Sequence, residues 1–138
     1  MSAKYEQIIN LIGAEFDLDT AGDKIIFSIP HKCVVLRAQL LVTSTDAGGG
    51  TVKFDKRPTA GSDTGRGDGD IATLTVPASN QQGKMLFEEP SSALTLVPGD
   101  QVVVEVTSDP GAGATMVPML LVLYVPETTE NMTDMVAA

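Results

Sequence analysis

One histidine, one cysteine and no tryptophan leave this chain of 138 residues poor in the side chains that carry most chemistry. His31 alone cannot build an imidazole zinc site, or the multi-histidine metal centre of a cupin enzyme, within one chain. Cys33 forms no internal disulfide and fits a reducing compartment. His31 and Cys33 stand two apart at a strand start, hence on one face. A Cys–His nucleophile pair would need a third, orienting group, and none is evident. With two Tyr and four Phe, the chain also lacks spare aromatic platforms for sugars. A phosphate-binding glycine loop ending in Lys-Ser/Thr and a nucleophile elbow are missing too. Glu88 and Glu89 are neighbours, so on a strand they point to opposite faces and do not clasp one substrate. The expectation is no enzyme, no cofactor and no metal.

Positive charge is scarce as well. Against 9 basic residues stand 18 acidic ones, a formal charge of −9. No Lys or Arg follows Lys84, whereas Glu88, Glu89, Asp100, Glu105, Asp109, Glu127, Glu130 and Asp134 do. Such a surface repels phosphate backbones, which argues against nucleic acid as a partner. It suits solubility at high local concentration, or docking on a basic partner. The longest apolar run, Met119 to Val125, is far short of the roughly 20 residues that span a bilayer. The start of the chain shows no signal-peptide sections. A soluble, cytosol-made protein without membrane association is expected. Asn131-Met132-Thr133 is a sequon by form only.

What the chain has is strand pattern. A hydrophobic content of 43 % excludes a largely disordered chain, and the length fits one domain. From Gln101 to Thr107, Val102, Val104 and Val106 alternate with Val103, Glu105 and Thr107, close to the period of a half-buried strand. Seven further strands are predicted over Lys24–Ile29, Cys33–Thr45, Thr51–Lys56, Ile71–Val76, Lys84–Glu88, Leu94–Val97 and Val117–Val125. In the second of these, Val34, Leu36, Ala38, Leu40 and Val42 share one face and Arg37, Gln39 and Thr43 the other. Gly48-Gly49-Gly50, Pro77, Gly83, Pro90, Pro98-Gly99, Pro110-Gly111 and Pro126 provide the breaks. Eight short antiparallel strands separated by Gly and Pro predict an all-β, jelly-roll-like β-sandwich over residues 23–126.

The flanks differ. Tyr5, Ile8, Ile9, Ile12 and Phe16 are spaced as the stripe of a short amphipathic helix over Ala3 to Phe16. Residues 1–22 therefore read as a helix or arm. So short a helix needs a surface to dock on, its own domain or a neighbouring subunit. Residues 127–138 form a polar tail. The break from Arg57 to Asp70 holds four Gly and no large apolar residue, which marks an exposed loop. Asp63, Asp68 and Asp70 lie in it without the spacing of an EF-hand. Arg66-Gly67-Asp68 spells a tripeptide that some adhesion receptors read.

The segment Met116 to Val125 is apolar on both faces. Val117, Met119, Leu121, Leu123 and Val125 alternate with Leu120, Val122 and Tyr124. One set belongs in the core, and the other, exposed, would form a strip larger than a monomer normally shows. Two covers are available, the helix at Ala3 to Phe16 or another copy, and the expectation is the copy, in a closed homo-oligomer such as a trimer. Tyr5, Ile8, Ile9 and Ile12, with Leu120, Val122 and Tyr124, are the candidate interface residues.

Taken together, the apolar N-terminal arm, the segments Lys24–Pro30 and Cys33–Val42 and the hairpin Leu96–Val106 resemble the capsid decoration, or cement, proteins of tailed bacteriophages. The likeness is one of pattern over residues 24–126, without a diagnostic motif. It implies a non-enzymatic virion protein on the capsid surface, assembled in the host cytoplasm. Its partner would be the major capsid protein, whose neighbouring subunits it would bridge, many equivalent sites giving avidity. The competing expectation is a carbohydrate- or receptor-binding module that uses the Arg57–Asp70 loop.

Overall fold

The computed structural model describes residues 7–44, 48–57, 69–78, 82–90, 94–108 and 113–125. All of its regular structure is β. Ten strands follow one another among these residues: β1 Gln7–Ile12, β2 Phe16–Asp17, β3 Gly22–Ser28, β4 Cys33–Ser44, β5 Gly50–Arg57, β6 Gly69–Val76, β7 Met85–Glu88, β8 Thr95–Leu96, β9 Gln101–Ser108 and β10 Thr115–Tyr124. They form two antiparallel sheets. The first has the order β1-β10-β4-β7, with β2 also on β10 and β8 also on β4; the second has β3-β9-β5-β6. Apart from β1–β2, β5–β6 and β7–β8, each connection crosses from one sheet to the other, a jelly-roll-like order. The eight predicted strands correspond to β3 through β10.

The predicted N-terminal helix is not formed over residues 7–17, which are strand. Gln7 to Ile12 pairs antiparallel with Tyr124 to Met119 as the edge of the first sheet. Phe16 and Asp17 then pair with Met116 and Thr115. Apolar residues at 8, 9 and 12 fit a helical stripe, but they fit equally a strand that is apolar on both faces. Three β-branched isoleucines favour the latter. Ile9 and Leu11 turn inward against the core, while Ile8 and Ile12 turn outward.

The gap between β1 and β2 explains a proline inside a central strand. Pro118 accepts a hydrogen bond from Gly13 N at 2.9 Å, so its nitrogen faces the same side, where the ladder is interrupted. No donor is wasted there. Gly13 has to be small at this crossing, because a Cβ would lie 2.9 Å from Ile25 and 3.0 Å from Pro118.

Between the sheets lies one core, with Phe54, Leu18, Leu40, Leu96, Met116 and Leu120 among its fully buried members. β4 departs from simple alternation. Its register against β10 slips between Leu121 and Val122, leaving Leu36 without a partner in the ladder. The bulge changes the phase: Cys33 and Val35 face the core on one side of it, Ala38, Leu40 and Val42 on the other. Val34 and Leu36, predicted to face inward with Ala38, are only half-buried.

Candidate interaction surface

The two outer faces of the sandwich are built from opposite chemistry. On the second sheet, Asp23, Glu105 and Lys53 stand in one row across β3, β9 and β5. Arg57 joins them. Its Nη1 and Nη2 donate to the two carboxylate oxygens of Asp23 at 2.7 and 3.1 Å, a bidentate pair. Its Nε donates to Asp55 Oδ2 at 3.4 Å, and Glu105 lies 3.8 Å from Nη2. Lys53 stands 3.7 Å from Glu105. The hydrogen bond to Asp23, ahead of every other cause, holds the guanidinium charged well beyond its ordinary range. This lattice roofs Val103, which is only 1 % exposed on what would otherwise be a solvent face. Charges already paired with one another ask for no partner.

The first sheet's outer face is apolar. The register places Ile8, Leu123 and Val34 in one row and Ile12, Met119, Gln39 and Phe87 in another. Val117, Leu41 and Met85 make a third. The four large side chains at its two margins stand free: Ile8 is 65 % exposed, Ile12 63 %, Phe87 57 % and Met85 40 %.

A strap of polar groups crosses this field. Arg37 Nε donates to Gln39 Oε1 at 3.1 Å, and Gln39 Nε2 donates to Asn10 Oδ1 at 3.1 Å. Asn10 Nδ2 in turn donates to the Met119 sulfur at 3.3 Å. Arg37 closes the other end, its guanidinium 4.9 Å above the centre of the Phe87 ring. The strap thus ties β1, β10, β4 and β7 together from outside. At one end of the face, Thr43 donates to Glu15 at 2.7 Å and meets Thr115 at 2.8 Å, which gives the apolar field a polar border.

The candidate interface residues divide. Ile8 and Ile12 lie on the outer face, whereas Ile9 is turned inward. Leu120 and Val122 are fully buried in the core, and Tyr124 packs at its margin with His31 at 5.3 Å between ring centres. The outward set on β10 is instead Val117, Met119, Leu121 and Leu123. The sequence offered both sets and no means of choosing, since the phase depends on which side the neighbouring strands put their own apolar groups. Tyr5 and Arg66-Gly67-Asp68 lie outside the described residues, as do Asp63 and the tail.

Cys33 is fully buried. Burial, helped by the nearby charge of Asp100, pushes its thiol up to about 11, so at neutral pH it is neither ionised nor reachable. The Cys33–His31 pairing therefore has no nucleophile to offer. Among the described residues no group of three or more His, Cys, Asp or Glu is placed to hold a metal ion.

No protein-family model and no curated protein sequence matches the chain. Among solved structures it is similar to the Eiger TNF of S. frugiperda, with a TM-score of 0.44 and 11 % identity, over 86 % of this chain and 94 % of that one.

Proposed function

We propose that this chain is a non-enzymatic structural protein of a virion, a decoration protein that binds the outside of a bacteriophage capsid and bridges its coat subunits. What supports the reading is the two-sidedness of the sandwich. One outer face is dominated by ion pairs among Arg57, Asp23, Asp55 and Glu105, with Ile26, 55 % exposed, the apolar exception on it. The opposite face offers Ile8, Ile12, Met85 and Phe87 for burial against protein. A protein whose work is to be held between others needs such a division, and needs no catalytic pocket. The pattern likeness to decoration proteins over residues 24–126 points the same way.

The mechanism is burial multiplied by repetition. Each contact is modest, but a copy that touches two coat subunits at once raises the effective concentration for the second contact, and a shell carries many equivalent seams. The net charge of −9 keeps the free protein from binding nucleic acid released in the cell. Purified chain is mixed with capsids that lack a decoration protein, and the shells are sedimented and then heated. The reading expects saturable co-sedimentation and a raised temperature of shell disruption. Shells that neither retain the protein nor gain resistance would sink it.

A further inference from the structure

We propose that the outer face of the first sheet is occupied by the same face of a second copy of this chain. This rests on the structural reading above and gives the apolar face to assembly of the unit, which leaves contact with coat subunits to other parts of the sandwich. It is tested without any capsid.

Size is the first argument. Four strands about 4.8 Å apart, over rows some seven residues deep at about 3.4 Å each, give a face on the order of 20 Å on a side. As a flat area that is about 400 Å², roughly half of the ~800 Å² per partner of a standard interface, and the relief of the side chains that stand up from it makes up part of the difference. Ile8, Ile12, Phe87 and Met85 stand up at its margins, and Leu121 and Leu123 lie half-buried between them.

Charge selects the occupant. Through the rows from Ile8 to Met85, Arg37 is the only charged side chain the register places on this face. It has no carboxylate partner among the described residues, although the chain carries 18 acidic residues. Glu15 borders the face through Thr43, and Glu89 is exposed just past the end of β7, whereas Glu88, opposite the inward Ala38, points to the other side of the sheet. A second copy therefore brings an apolar field to meet the apolar field, and acidic groups at the border to meet the unpaired guanidinium. An anionic membrane is a poor alternative. The face has one cation rather than the cluster that would hold acidic lipid.

The strap is what allows the face to be covered. Asn10 and Gln39 are polar groups in the middle of the field, and Gln39 is 5 % exposed already. Because each finds its partner within the chain, covering them with a neighbour leaves no donor or acceptor stranded.

Sedimentation velocity and native mass spectrometry of the full chain at micromolar concentration are the test. A particle of twice 14.4 kDa is expected, because a face that meets its own copy closes as a two-fold dimer. Ile8→Lys and Ile12→Lys alter side chains that stand in solvent and leave the fold intact, so each should shift the particle to monomer with an unchanged circular dichroism spectrum. Leu121→Glu should do so more completely. Thr73→Lys, on the exposed side of β6, should leave assembly as it was. A wild-type monomer, or an oligomer untouched by both isoleucine variants, overturns the proposal. A self-associating chain that ignores shells would contradict the decoration reading alone, and one that decorates shells as a monomer would contradict this inference alone.

Discussion

Gln39 donates its amide hydrogen to Asn10 at 3.1 Å although strand β10 runs between the strands that carry them. The two side chains reach toward each other over Met119, whose sulfur accepts from Asn10 Nδ2. A polar bridge over an apolar strand serves two ends. It locks the sheet edge to its centre, and it lets an otherwise greasy face contain amides that are satisfied before any partner arrives.

Removing one end of this bridge strands the other. Gln39→Ala removes the partner of Asn10 Oδ1 and of Arg37 Nε, and because Asn10 is exposed and Arg37 half-buried, water offsets part of the loss and the cost should be about 0.5–1.5 kcal/mol of stability. The double variant Asn10→Ala/Gln39→Ala should cost less than the sum of the singles, because the second change removes a group already orphaned. Urea unfolding of the four proteins checks the cycle. Strict additivity would mean that the bridge carries no energy.

On the opposite face the expected hierarchy is set by geometry. Arg57→Ala leaves Asp23, Asp55 and Glu105 to repel one another and should destabilise by about 1–3 kcal/mol. Arg57→Lys keeps the charge but not the fork that grips both oxygens of Asp23, so it should fall between. Adding Asp55→Asn to Arg57→Ala should recover part of the loss. Thermal melts of the three variants at one ionic strength give the order.

Gly113 sits where the approach to β10 crosses the loop after β2. A Cβ there would lie 2.6 Å from Asp19 N and 2.7 Å from Leu18 N, both backbone atoms that cannot swing aside. Gly113→Ala should therefore cost about 1–3 kcal/mol through forced displacement of the loop. A wild-type melting temperature for this variant would show that the crossing is looser than described.

Cys33 gives a pH signature. Its thiol ionises near 9.0 when unfolded but only at about 11 in the fold. The folded state holds the proton longer, so this contribution is complete below pH 9 and is lost as pH rises toward 11. Denaturant titrations across that window should show wild type losing more stability than Cys33→Ala does. At neutral pH a thiol reagent should label Cys33 only as fast as the chain unfolds.

How much of this was legible beforehand follows from what periodicity can encode. The strands β3 to β10 were readable because alternation and Gly or Pro breaks are local signals. β1 was not, since Ile8, Ile9 and Ile12 satisfy a helix and a two-faced strand alike. An apolar excess on Met116–Val125 was also plain. Its inward members, Leu120 and Val122, were not distinguishable from its outward ones, because the bulge at Leu36 and the pairing with β1 decide the phase. The Asn10–Gln39–Arg37 strap had no sequence signal at all: its members come from two strands that do not touch.

The account stands or falls on whether the first sheet's outer face is covered by protein in solution. Methionine oxidation reads this directly, since Met85 is 40 % exposed in the single chain and Met116 is fully buried. With dilute peroxide and peptide mass spectrometry across a protein dilution series, Met85 should be shielded at high concentration and become reactive as the protein is diluted, while Met116 stays inert throughout. Rapid oxidation of Met85 at every concentration would contradict the account.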